Sequence, residues 1–185
     1  MTSKLNLVFP VMLLAGCAGT VDKRLGTSRA DQITGRSLVV VADEKPSFVT
    51  GTAGKGMFGA LGALGMVSEG DDIVTKNGIE DPSVYIGEEI AKSLATRHNL
   101  AASPETGITD TDDLDQLSRR YNGGDLILFT QTRGWSFMYF PTDWDNYRVG
   151  LNVTVRPFDP NRKSLLAAAD CAYSPEYADS DEAPT

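Results

Sequence analysis

Histidine and cysteine are scarce in this chain of 185 residues. It contains one histidine, His98, and two cysteines, Cys17 and Cys171. Metal sites rich in these residues and catalytic triads built around histidine therefore lack their components. No serine nucleophile elbow is found either. The sequence thus predicts no metal, no bound cofactor and no enzyme of these classes.

Positive charge is also in short supply. Lysine and arginine number 17 against 25 aspartates and glutamates, which gives a formal net charge of −8. Nucleic-acid binding requires a basic face, so a nucleic-acid partner is not expected. Hydrophobic residues make up 41% and charged residues 23% of the chain, values typical of a globular domain.

Long apolar runs are missing, and the most apolar stretch, residues 5–14, is half the length of a membrane span. A basic residue precedes this stretch, and two small residues followed by Cys17 come after it, in the sequence Leu-Ala-Gly-Cys. The segment resembles a bacterial lipoprotein signal peptide with its lipobox. The resemblance implies that residues 1–16 are removed and that Cys17 carries diacylglycerol and a further acyl chain, such as palmitate.

Several acyl chains on one residue give a stable membrane anchor. Residue 18 is alanine and not the aspartate that retains many enteric lipoproteins in the inner membrane, so the resemblance implies the periplasmic face of the outer membrane. The alternative is an ordinary secretory leader in which Cys17 has no special role.

The rest of the chain divides into three parts. Residues 17–36 are polar and without a clear period, which predicts a lipidated tether. Residues 37–174 are predicted to form one α+β domain. Residues 175–185 are acidic and favour either a disordered tail or a loop that leads to sequence beyond Thr185, where a partner for Cys171 would also be found.

The pattern within the domain predicts a strand, two helices and three further strands. The first helix begins at Asp81 and Pro82 and has an apolar stripe of Ile86, Ile90 and Leu94. The second is predicted over residues 111–121. The strands are predicted over 37–42, 125–138, 147–156 and 165–173. We therefore expect a two-layer sandwich whose mixed or antiparallel sheet ends in a three-stranded meander, with both helices on one face.

This order of elements, and residues 146–172 above all, resembles small Gram-negative envelope lipoproteins, some of which are accessory subunits in assembly or secretion. The resemblance implies a non-catalytic protein that acts by contact with a protein or with the envelope. An alternative is an oligomeric assembly or secretion subunit that uses the glycine-rich segment 56–67 as its contact surface.

A glycine repeat offers one candidate contact surface. Gly56, Gly59, Gly62 and Gly65 are spaced by three residues, with Phe58 among them. Residues 54–59 also match the dinucleotide fingerprint G-x-G-x-x-G, but the required βαβ context is lacking. Glycine weakens a helix and permits close approach, so two interpretations remain: a flexible loop, or a surface for self-association or membrane contact.

Aromatic residues gather around a predicted hairpin. Trp135, Tyr139 and Trp144 belong to this group, and such residues favour surfaces that are apolar at one end and wet at the other. They predict either a partner surface or the end of the core. Asp143 and Asp145 at the tip leave a glycan hydrolase as a further alternative, although their position favours solvated carboxylates.

Overall fold

One sheet organises the part of the chain that the computed structural model describes, namely residues 18–51, 59–121, 125–140 and 143–175. Its strands are β1 Ala18–Lys23, β2 Ser37–Asp43, β3 Val49–Gly51, β4 Ala101–Thr109, β5 Leu126–Phe140, β6 Asp143–Asp159, β7 Ser164–Leu165 and β8 Ala168–Tyr173. The helices are α1 Thr27–Ile33, α2 Gly59–Asn77, α3 Pro82–His98 and α4 Leu114–Arg120.

The strand order is β1-β8-β6-β5-β2-β4, with β3 added to β5 and β7 added to β6. Strand β2 is parallel to both β4 and β5, whereas β5, β6 and β8 form an antiparallel meander. The predicted α+β class, the mixed sheet and the C-terminal meander are thus confirmed. The predicted last strand is divided, because Leu166 and Ala167 both donate to the Pro157 carbonyl of β6 and so interrupt the regular pairing between β7 and β8.

Strand β2 lies inside the sheet, between β4 and β5, as its continuous apolar sequence predicts. Val40 and Val41 are both buried, and they belong to separate core clusters. Because neighbouring residues of a strand point to opposite faces, β2 contributes to a core on each side of the sheet.

Helix α3 covers one of these cores. The side chain of Asp81 accepts a hydrogen bond from the Ser83 backbone at 2.8 Å, and Pro82 occupies the first turn, so the predicted start is confirmed. The predicted stripe of Ile86, Ile90 and Leu94 packs against this core. The helix ends at Asn99, whose φ of 52° is left-handed.

Helix α4 lies on the other face, which corrects the prediction of two helices on one face. Its buried Leu117 packs with Val41, Ile127 and Phe129. The reason is that β2 and β5 carry apolar residues on both sides and need a cover on each. The helix begins at Leu114, later than predicted, with the Asp113 carboxylate accepting from the Gln116 backbone at 2.9 Å.

The predicted tether over residues 17–36 is wrong for the described residues 18–36. Strand β1 pairs antiparallel with β8, and α1 places Ile33 in the α3-side core. Edge pairing through backbone groups requires little of the side chains, so this strand leaves a weak sequence pattern. Among the described helices, none is long and apolar enough to cross a membrane.

Candidate interaction surface

The glycine repeat lies at the start of helix α2, which corrects the flexible-loop interpretation for the residues described. Gly59 opens the helix with a φ of +57°, a conformation that glycine adopts without strain. Gly62 is buried and Gly65 is half-buried. Gly56 and Phe58, like Cys17, lie outside the described residues.

Close backbone contact fixes α2 to the domain. A β-carbon at Gly70 would overlap the carbonyl group of Phe48, so the helix rests directly on the backbone that leads into β3. The Asp71 carboxylate accepts hydrogen bonds at 2.9 Å from the Phe48 backbone and from the Ser47 hydroxyl. The Thr50 hydroxyl donates to the Met66 carbonyl at 3.0 Å.

The opposite side of α2 faces solvent with apolar residues. Leu61 is 80% exposed and Leu64 is 69% exposed, and Ala60 and Ala63 beside them are exposed as well. We name these four residues the α2 outer surface. The helix carries no charged residue from Gly59 to Val67, so the surface is uncharged as well as apolar. Exposed apolar residues grouped in this way are typical of contact sites.

The aromatic group of the hairpin is mainly structural. Trp135 is only 7% exposed; its indole N–H donates to the Pro46 carbonyl at 2.9 Å, and its ring meets Phe48 at 4.9 Å. The prediction of Trp135 as a partner-facing residue is therefore wrong. Tyr139 is half-buried, with its ring 5.9 Å from that of Tyr147. The side chain of Trp144 is outside the described part.

The two predicted surfaces meet through β3. This strand pairs with Ser136, Phe137 and Met138 of β5 on one side and contacts α2 on the other. Phe48, just before β3, touches both the helix and Trp135. Sequence patterns gave no sign of this link, because neither Phe48 nor Asp71 belongs to a motif.

The carboxylates of the hairpin tip make local hydrogen bonds. Asp143 accepts from the Asp145 backbone at 3.1 Å and from the Asn146 amide at 2.8 Å, and Asp145 is exposed. These are contacts that shape a turn. They lend no support to a hydrolytic acid pair.

The acidic residues near α4 have partners of their own. Asp113 caps the helix, Asp110 lies 3.1 Å from Arg120, and Asp115 lies 3.8 Å from Lys163. Across the described residues, no group of three histidine, cysteine, aspartate or glutamate side chains is placed to hold a metal ion. Cys171 is half-buried on β8, beside Val153 of β6, so its predicted position in a strand is confirmed.

No protein-family model matches this chain, and neither does any curated protein. Among solved structures, the chain is similar to the PelC dodecamer from Paraburkholderia phytofirmans, with 13% identity, a TM-score of 0.39 and coverage of 84% of this chain and 81% of that one. It is also similar to the LpoB C-terminal domain from Salmonella enterica, with 12% identity, a TM-score of 0.29 and coverage of 78% and 87%. The lipoprotein GNA1162 from Neisseria meningitidis shows 11% identity, a TM-score of 0.29 and coverage of 77% and 88%.

Proposed function

We propose that this protein is a non-catalytic lipoprotein of the bacterial envelope that acts by binding a protein partner through the α2 outer surface. The observation that carries the proposal is the exposure of Leu61 and Leu64 on a helix held firmly to the sheet. Two large apolar side chains in water are unfavourable for the isolated domain, and a partner groove would bury them.

The lipid anchor supports a place for this domain at a membrane. Cys17 immediately precedes β1, so an anchor on Cys17 would hold the edge of the sheet near the lipid. The net charge of −8 disfavours attraction of the domain itself to anionic lipid. We therefore assign membrane attachment to Cys17, and the proposed location is the periplasmic face of the outer membrane.

The α2 outer surface fits a protein groove. Leu61 and Leu64 are three residues apart and lie on one side of the helix, which is the spacing of anchors in helix-in-groove recognition. The exposed carboxylates of Glu69 and Asp72 follow on the same helix. A complementary partner would offer an apolar groove with basic residues at the end that meets these carboxylates.

Two measurements test the proposal separately. Metabolic labelling with an alkyne fatty acid should modify the full chain. Cys17→Ser should abolish the label, and the protein should then leave the membrane fraction without detergent. Labelling that persists in Cys17→Ser would contradict the anchor.

Contact is tested with the lipidated protein recovered from envelope extracts. Leu61→Gln with Leu64→Gln should reduce recovery of bound proteins at an unchanged melting temperature. The matched control, Ile79→Gln with Ile108→Gln, alters two other exposed apolar residues and should leave recovery intact. Equal recovery with both double variants would contradict the role of the α2 outer surface.

A further inference from the structure

A cavity of about 300 Å³ lies between α3 and the sheet, near the end of β1. Helix α3 contributes Ile90 and Leu94, β5 contributes Leu126 and Leu128, and the segment 166–169 closes one side. Of the described residues that line the cavity, only Lys23 and Arg24 are charged, and all the others are apolar.

This cavity opens to solvent on one side and is larger than the gaps found within a packed core. Cores are close-packed, with few voids larger than a water molecule. Apolar walls offer no hydrogen bonds to hold ordered water, and an apolar cavity of about 150 Å³ is already sufficient for a benzene-sized molecule. The cavity therefore has the size and chemistry of a site for an apolar ligand.

The two cations give the cavity a polar end. Arg24 is exposed, and Lys23 is half-buried with its ammonium group donating to the Leu165 carbonyl. Within the described part of the chain, no carboxylate lies within ion-pair distance of either side chain. An anionic group at this end would gain charge-assisted hydrogen bonds.

We propose that the cavity binds the hydrocarbon chain of a non-covalently held fatty acid, with its carboxylate at Lys23 and Arg24. The apolar walls account for the chain, and the cations account for a single anionic head. This site is separate from the α2 outer surface, and it does not depend on the proposed protein partner.

The anchor on Cys17 is a poor occupant. β1 is extended from Ala18 to Lys23, a span of roughly 16 Å at about 3.3 Å per residue, so the anchor leaves from the end of the strand remote from the cavity. Its acyl groups are held as esters and an amide, and they present no carboxylate to the two cations.

The test uses the full-length protein in phosphatidylcholine nanodiscs, where no detergent competes. The probe is a dodecanoic acid with a diazirine at the chain end, and labelled peptides are mapped by mass spectrometry. We expect label on peptides that contain Ile90, Leu94 and Leu166. Unlabelled dodecanoate should suppress this labelling strongly, and dodecanol should suppress it weakly.

Two variants and their controls locate the probe. Ala167→Phe should fill the cavity and abolish labelling, whereas Ala172→Phe on the exposed side of β8 should not. Lys23→Gln with Arg24→Gln should weaken competition by dodecanoate about tenfold, because two charge-assisted contacts are lost. Lys76→Gln with Arg97→Gln removes two exposed charges elsewhere and should have no effect.

Label spread over other peptides, or equal competition by dodecanoate and dodecanol, would overturn the proposal. If Ala167→Phe fails to fold, the Lys23 and Arg24 variant still decides the matter, since it alters the cavity mouth and leaves the apolar walls intact. Labelling that the Lys23 and Arg24 variant leaves unchanged would contradict the carboxylate site.

Discussion

The guanidinium of Arg36 lies 2.6 Å from the carboxylate of Asp159, a residue 123 positions later in the chain. The same guanidinium donates to the Asp125 carbonyl at 2.7 Å. Arg36 precedes β2, Asp125 precedes β5, and Asp159 ends β6. One side chain therefore joins the ends of three adjacent strands.

This pair predicts a dependence of stability on acid. Burial alone would raise the pKa of Asp159, but hydrogen bonds from Arg36 and from the Arg162 and Asn161 backbones outweigh burial and hold the pKa below its ordinary value. A lowered pKa in the folded state means that the stabilisation is complete above the unfolded pKa of about 3.9. It is then lost as the pH falls through the folded pKa.

We expect Asp159→Asn to destabilise the domain by about 3 kcal/mol at neutral pH, because Arg36 loses its anionic partner. The amide oxygen of the substituted side chain can still accept hydrogen bonds from the Asn161 and Arg162 backbones. Its free energy of unfolding should also fall less steeply below pH 4 or so than that of the original protein. Urea unfolding at several pH values measures both. Asp110→Asn, in an exposed ion pair, is the control, and an equal effect there would contradict the role of Asp159.

Gly70→Ala should loosen α2, because the new methyl group meets the Phe48 carbonyl. We expect a loss of about 2 kcal/mol and faster amide exchange over the helix. Gly65→Ala is the matched control: space is open there, and alanine favours a helix over glycine by about 1 kcal/mol. A more stable Gly70→Ala protein would show that α2 does not rest on Phe48.

Strand β6 offers a test of the sheet faces. Val153 is buried in the α3-side core, and Asn152 beside it is exposed. Val153→Asp should cost several kcal/mol, roughly 3 or more, through burial of an unpaired charge, whereas Asn152→Asp should change stability by less than about 0.5 kcal/mol. Thermal melts compare the two, and similar melting temperatures would mean that the faces are assigned wrongly.

At the start of α3, one oxygen of the Asp81 carboxylate accepts hydrogen bonds, whereas its other oxygen and the Ser83 hydroxyl are buried without a partner in the described structure. The Asp81 carboxylate accepts from the Ser83 backbone and the Thr132 hydroxyl, so Asp81→Ala should cost at least about 1 kcal/mol. The fully buried hydroxyl of Ser83 has no hydrogen-bond partner in the described structure. Ser83→Ala should therefore be neutral or stabilising. A large decrease in the free energy of unfolding would instead reveal a partner for this hydroxyl.

Local patterns predicted the elements that carry their own signals. The cap at Asp81, the apolar stripe of α3 and the alternation along β6 are each encoded by neighbouring residues, and each element formed where expected. The alternation is incomplete, because Thr154 is buried as well: its hydroxyl donates to Asp170 of β8, a contact that spacing cannot show.

Contacts between distant segments could not be predicted. The pairing of β1 with β8 uses backbone groups, and the placement of α4 on the second face depends on which strands lie beneath it. The candidate surface had a mixed outcome for the same reason. Spacing identified the glycine-rich segment. The exposure of Leu61, however, depends on which side of α2 rests on the Phe48 backbone, and the burial of Trp135 depends on the contact of its ring with Phe48.

The most direct test of the proposed contact is photo-crosslinking in living cells from a benzoyl-phenylalanine placed at Ala63, within the α2 outer surface. We expect a discrete crosslinked adduct with a protein partner. The adduct should disappear with Leu61→Gln and Leu64→Gln and be absent when the same probe replaces the exposed Ile108. An absence of adducts at Ala63, or equal adducts from both positions, would contradict it.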